Sequence, residues 1–136
     1  MKYSVVIFLL VILAKNSLAY SETVTLGQRQ PGEQLLGFVT NSTQYSPQPG
    51  HHEITLTLGA PAGSFVTFVH INIYPDFDIV SFPVHIPYNA NIVIQNYATT
   101  HLSANAYYYG FAAESPEALA KEDLIEVETY SVITKK

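Results

Sequence analysis

The chain has 136 residues, no cysteine, and six Lys or Arg against eleven Asp or Glu, for a formal net charge of −5. Without thiols there is no cysteine nucleophile, zinc–thiolate site or dithiol redox pair, and no disulfide can staple the core. Arg29 is the only Lys or Arg between Tyr20 and Ala120, which excludes the cation cluster that binding to a phosphate backbone requires.

Residues 1–19 read as a secretory signal peptide. Lys2 supplies a positive n-region, residues 5–13 form an uncharged apolar core, and Ser17-Leu18-Ala19 offers small residues at a cleavage site. The apolar run is shorter than the roughly 20 residues that span a bilayer, so no membrane span is expected. Cleavage after Ala19 leaves residues 20–136, with four cations against eleven acids, or −7. A chain of that length removes roughly two thirds of its unfolded surface from water, enough for a single independent core. The expected location is extracellular.

Along residues 20–136 the apolar period is mostly two. Val24-Thr25-Leu26 and Gln34 to Val39 read as the first two strands, and Glu53 to Leu58 alternates strictly between polar and apolar. Ser64 to Tyr74 is longer; Phe65, Val69, Ile71 and Ile73 are expected on one face and His70 and Asn72 on the other. Asp78 to Phe82, Asn91 to Gln95 and His101 to Phe111 are further β-branched and aromatic runs. Between them lie turn-forming stretches such as Ser46-Pro47-Gln48-Pro49-Gly50 and Gly59-Ala60-Pro61-Ala62-Gly63. Pro83 inside a strand-like run argues for an edge or a break. Ser115-Pro116-Glu117 resembles a helix N-terminus, predicting a short helix to about Asp123, and Ile125 to Val132 returns to a period of two as a possible final strand. The expectation is an all-β fold, an antiparallel sandwich or barrel-like domain with a short C-terminal helix.

The first loop holds the lone cation. Gly27 and Gly32 permit backbone angles closed to other residues, Pro31 stiffens the turn, and Arg29 has Glu22, Glu33 and Glu53 within reach. A guanidinium bridging a carboxylate and loop carbonyls would make Arg29 a structural clamp; an anion site is the functional alternative.

The spacing Leu26-Gly27-x-Arg29-x-x-Gly32-Glu33-x-Leu35-Leu36 resembles the opening signature of the insect multiprotein bridging factor 2 family. Ala60-Pro61-Ala62-Gly63, Val69-x-Ile71-x-Ile73 and Tyr107-Tyr108-Tyr109-Gly110 are similar to later features of that family in the same order. The resemblance covers about residues 24–111 and leaves an acidic extension, 112–136, outside it. Family members carry paired glycines before the penultimate strand, where this chain has Pro87-Tyr88-Asn89-Ala90-Asn91. The resemblance implies a small, secreted, non-enzymatic β protein associated with responses to infection or feeding. A transcriptional co-activator role, from which the family takes its name, fits poorly with a signal peptide and the scarcity of cations.

Other groups invite chemistry less strongly. His51-His52-Glu53 places His51 and Glu53 on one side of an extended segment and His52 on the other, and a zinc site would need His70, His85 or His101 to converge as well. Asp76-Phe77-Asp78 follows Pro75 and reads as turn-forming acids rather than a calcium loop or a glycosidase pair. No nucleophile elbow or phosphate loop is present. The expectation is therefore no enzyme, no metal and no cofactor. Asn41-Ser42-Thr43 is a glycosylation sequon, expected in a loop after a strand. Tyr107 and Tyr109 share one strand face and are the candidate binding surface for a protein, lipid or other surface ligand, with core packing as the alternative. Self-assembly into a homo-oligomer through tyrosine-rich edge strands, 101–111 or 125–133, is the second functional expectation.

Overall fold

The strict alternation from Glu53 to Leu58 becomes a strand in the computed structural model, which describes residues 21–113 and 130–134. Ile54 and Leu56 are buried there, while Thr55 and Thr57 face solvent. The same rule of two produces eight strands: β1 Glu22–Gly27, β2 Gln34–Ser42, β3 Gly50–Thr57, β4 Phe65–Tyr74, β5 Ile79–Pro83, β6 Asn91–Thr99, β7 Ser103–Phe111 and β8 Tyr130–Thr134. They form two four-stranded sheets, ordered β1-β4-β7-β2 and β3-β6-β5-β8, and every pairing is antiparallel. Of the two architectures expected, the result is sandwich-like; no closed barrel forms. Among the described residues no helix is long and apolar enough to cross a membrane.

The inward rows of the two sheets supply one core. Val24 and Leu26 of β1, Val69, Ile71 and Ile73 of β4 and Ala104, Ala106 and Tyr108 of β7 come from the first sheet. Ile54, Leu56, Val80, Ile92 and Ile94 come from the second. Each fully buried aliphatic side chain contributes roughly 1.5–3 kcal/mol relative to exposure, and in a chain without cysteine their sum has to hold the fold without disulfides.

Several expectations are corrected. A bulge between Val66 and Phe68 shifts the register on β4, so Val66 joins the core row and Phe65 does not. Of the edge or break expected at Pro83, the break is what forms: β5 lies between β6 and β8, but its pairing with β6 stops at Ser81, and Pro83 closes the strand opposite Tyr130 of β8 alone. The tyrosine-rich run is not an edge either, because β7 is hydrogen-bonded to β4 on one side and β2 on the other. The final strand is present from Tyr130 and does form an edge. No helix occurs among the described residues; the helix expected at 115–123 and the signal peptide at 1–19 lie outside them. The sequon is not in a loop, since Asn41 lies within β2, exposed, with its amide donating to the Thr55 carbonyl on β3 at 3.0 Å.

Tyr108 shows how the interior is fitted. Its ring turns inward from β7 and its hydroxyl accepts the Gly59 N–H at 3.0 Å, tying the β3–β4 loop to the first sheet. The ring occupies a slot that exists because position 37 has no side chain: a Cβ there would lie 2.3 Å from the Tyr108 hydroxyl. Tyr108→Phe should lower stability by about 1 kcal/mol for the lost hydrogen bond, and Gly37→Ala by more, because the ring must move. Urea unfolding of the two variants against the parent checks that order.

Candidate functional site

The β1–β2 loop turns on Gly27 (φ 76°) and Gly32 (φ 82°), conformations in which a side chain is strained. A Cβ on Gly27 would meet the Thr67 carbonyl oxygen at 2.1 Å, the same atom that accepts the Gln28 N–H at 3.0 Å. Within this turn Glu33 gathers three donors. One carboxylate oxygen accepts the Gln30 N–H at 2.9 Å and the Thr67 hydroxyl, and the other pairs with Nε of Arg29. The Glu33 side chain is only 2% exposed, whereas Arg29 is 59% exposed. Of the three acids within reach in the sequence, Glu33 is therefore the partner, which forms the carboxylate half of the expected clamp.

Arg29 does a second thing. Its guanidinium carbon lies 4.2 Å from the centroid of the Tyr109 ring and 5.5 Å from that of Phe68, the range of cation–π attraction. The lone cation of the described chain is thus laid over the outer face of the first sheet. Burial pushes the Glu33 carboxyl up and is the largest single influence. The hydrogen bonds from Thr67, Gln30 and Arg29, together with the Arg29 charge, outweigh it and hold the group below its ordinary value.

The outer face is organised in rows across the strands. Register places Phe68, Tyr109 and Leu35 side by side, then Thr25, His70, Tyr107 and Phe38, then Thr23, Asn72, Asn105 and Thr40. Phe38 and Tyr107 pack ring against ring at 4.8 Å and 48°, and remain 49% and 39% exposed; Leu35 beside them is 55% exposed. The two tyrosines proposed as a binding surface therefore share the outer face as expected but differ in role. Tyr107 presents its ring, whereas Tyr109 is covered by Arg29. The third row is hydrogen-bonded across three strands, Thr23 to Asn72 at 3.2 Å and Asn72 to Asn105 at 3.1 Å.

Phe38 and Leu35 were legible only as strand hydrophobics. Phe38 has the parity of Thr40 and Ser42, and Tyr107 that of Ser103 and Asn105, so the polar neighbours at spacing two carry the signal that these rings point outward. Leu35 has no such signal, because the bulge between Leu35 and Gly37 resets the alternation.

The remaining candidates disperse. His51 and His52 do point to opposite sides of β3. His51 stacks on Tyr97 at 4.9 Å and contacts the Gln95 carboxamide oxygen at 3.2 Å on the outer face of the second sheet. His70 lies on the outer face of the first sheet, and among the described residues no group of three or more His, Asp or Glu is placed to hold a metal ion. Asp76 caps its own turn by accepting the Phe77 N–H at 2.7 Å, and Asp78 accepts the Tyr97 N–H at 2.7 Å, which gives both acids local structural work. His52 sits between two hydroxyls: Thr43 Oγ1 at 2.7 Å from Nδ1 and Ser46 Oγ at 3.0 Å from Nε2. The Ser46 hydroxyl has carbonyl acceptors in Gln48 at 3.0 Å and Thr100 at 3.4 Å, and Thr43 Oγ1 accepts the Leu102 N–H at 3.0 Å and keeps its proton for Nδ1; this wiring favours the tautomer in which Nε2 carries the imidazole hydrogen.

The chain matches no protein-family model, and no curated protein matches it.

Two outcomes follow from these geometries. Because the folded Glu33 carboxyl is the stronger acid, its ionisation adds stability above the ordinary value of about 4.3, and the gain fades as pH falls through the lower folded value. The urea midpoint of the parent should exceed that of Glu33→Gln most at neutral pH, and the gap should narrow steadily in acid. For His52, long-range nitrogen–proton NMR spectra at neutral pH should show the Nε2–H tautomer; an Nδ1–H tautomer would show that the Thr43–His52–Ser46 network is wired differently.

Proposed function

We propose that the chain is a secreted, non-enzymatic binding protein whose docking surface is the outer face of the first sheet, centred on Phe38 and Tyr107. The single observation that carries this reading is that pair: two large rings, packed against each other at a tilt on adjacent strands, left about half exposed beside an exposed Leu35. A contiguous apolar patch of this kind on a small protein marks an interaction surface more often than chance exposure. The ordered loop that holds Arg29 against Tyr109 supports it, because a rigid rim lowers the entropy that binding would otherwise cost.

The leader-like residues 1–19 support secretion, and the sequon at exposed Asn41 is compatible with a glycoprotein. The loop signature that resembles the insect multiprotein bridging factor 2 family supports the same class, an extracellular protein of infection or feeding responses. The co-activator role in the family name is not carried over, since Arg29 is the only cation among the described residues and nothing else there could neutralise phosphate.

Self-assembly is the second reading, and it rests on β8. This five-residue strand is the edge of the second sheet, with Tyr130 and Val132 exposed. Light scattering separates the two: the binding reading predicts a monodisperse monomer, the assembly reading a concentration-dependent oligomer.

The direct test is affinity capture from the fluid into which the protein is released. Immobilised parent should retain a species that Phe38→Ser and Tyr107→Ser each release, while Tyr97→Ser on the opposite sheet retains it. Capture unaffected by either first-sheet substitution contradicts the proposed surface. Amino-terminal sequencing of the secreted form should begin at Tyr20.

A further inference from the structure

We infer that the occupant of this face is an uncharged polysaccharide, lying across the strands with its sugar rings on Phe38 and Tyr107; this rests on the reading of the face as the docking surface. The first argument is charge. The described residues carry five carboxylates, at Glu22, Glu33, Glu53, Asp76 and Asp78, against the single cation Arg29. Among the described residues the charged pair on the outer face of the first sheet is Arg29 with Glu33, neutral as a unit; Glu22 starts β1 at the inward parity of Val24 and Leu26, and His70 beside Tyr107 is formally neutral at pH 7. Glu53 points outward from the second sheet, and Asp76 and Asp78 lie in the turn that leads into it. Among the described residues, where one cation stands against five acids for a formal −4, this face therefore carries no net charge. A polyanion gains nothing there and is repelled by the rest of the molecule, while a basic partner is drawn to the acids elsewhere. An uncharged partner alone is matched to it.

The second argument is the pairing of chemistries. The rings of Phe38 and Tyr107 and the side chain of Leu35 offer apolar area, whereas the adjacent row Thr23–Asn72–Asn105–Thr40 offers hydroxyls and carboxamides. A pyranose has the same division, a C–H face that stacks on aromatic rings and a rim of hydroxyls that exchange hydrogen bonds with amides. A lipid surface would use the rings but would leave unused the hydrogen-bonding capacity that the row keeps beyond its own bonds, Thr23 to Asn72, Asn72 to Asn105 and Thr40 to the Ala104 carbonyl. The row is also fixed in advance, since Thr23 and Asn105 both hydrogen-bond to Asn72. Four strands at a spacing of about 4.8 Å give a track of roughly 14 Å, long enough for an oligosaccharide rather than a single sugar.

The test uses the full-length secreted protein in affinity electrophoresis through gels that contain laminarin, hydroxyethylcellulose or soluble starch, followed by titration with the matching hexasaccharide. At least one polysaccharide should retard the protein. Phe38→Ala and Tyr107→Ala should each weaken the hexasaccharide by about tenfold or more, and Tyr97→Ala by no more than about twofold. Binding should be unchanged between low and high salt, as an uncharged ligand requires. Retardation in none of the gels, binding indifferent to both ring substitutions, or binding abolished by salt would each overturn the inference. So would a dimer in light scattering that Phe38→Ser disperses, which would make a second copy the occupant. If no polysaccharide binds yet the two serine variants still lose a captured protein, this inference falls while the surface reading stands; if capture also ignores them, both fall.

Discussion

Apolar burial between two sheets is the constraint on which the rest of this molecule depends. With no cysteine available, the inward rows have to be apolar, closely fitted and correctly phased, and Leu56, Val69, Ile71, Ile73, Ile92 and Ile94 are all fully removed from solvent. A register slip of one residue would turn such a row to the outside, so the phase of each strand is strongly specified. That demand leaves the outward rows free, and the contents of those rows become informative. Outward positions filled by Thr, Ser and Asn are what a solvated sheet face needs. Outward positions filled by Phe38, Tyr107 and Leu35 are not needed for solubility.

The one Lys or Arg among the described residues belongs to the same economy of placement. Arg29 satisfies a carboxylate that the turn has buried, and its guanidinium plane covers the Tyr109 ring. One side chain thus closes the loop and caps part of the aromatic face, which leaves Tyr107 rather than Tyr109 as the ring on offer. A lysine could hold the Glu33 charge but not the planar contact with the ring. The two positive-φ glycines and the Thr67 hydroxyl set the loop so that both contacts are made together.

Much of the fold was legible because a period of two is a local signal. The strands around Ile54, Ile71 and Ile92 fall where alternation puts them, and the opposed directions of His51 and His52 follow from the same rule. What was not legible depends on pairing. Bulges at Leu35/Gly37 and Val66/Phe68 are set by the neighbouring strand, so the facings of Phe65 and Leu35 cannot be read from β4 or β2 alone. Strand order is likewise non-local: nothing within 101–111 says that it is flanked on both sides, and Pro83 announces an end of pairing without saying on which side. The clamp was legible from charge scarcity, because a single Arg beside Glu33 has few other uses. The Phe38–Tyr107 contact was not, since it joins residues on strands far apart in the chain.

The central claim is that the core holds the fold while the outward rings are spare. Urea unfolding of the double variant Phe38→Ser/Tyr107→Ser, measured beside Leu56→Ala, tests it most directly. The account predicts a loss of about 1 kcal/mol for the double variant, the scale of one cross-strand pair, against about 2–5 kcal/mol for Leu56→Ala. A double variant as damaged as Leu56→Ala would contradict it, because the rings would then be part of what holds the sheets together.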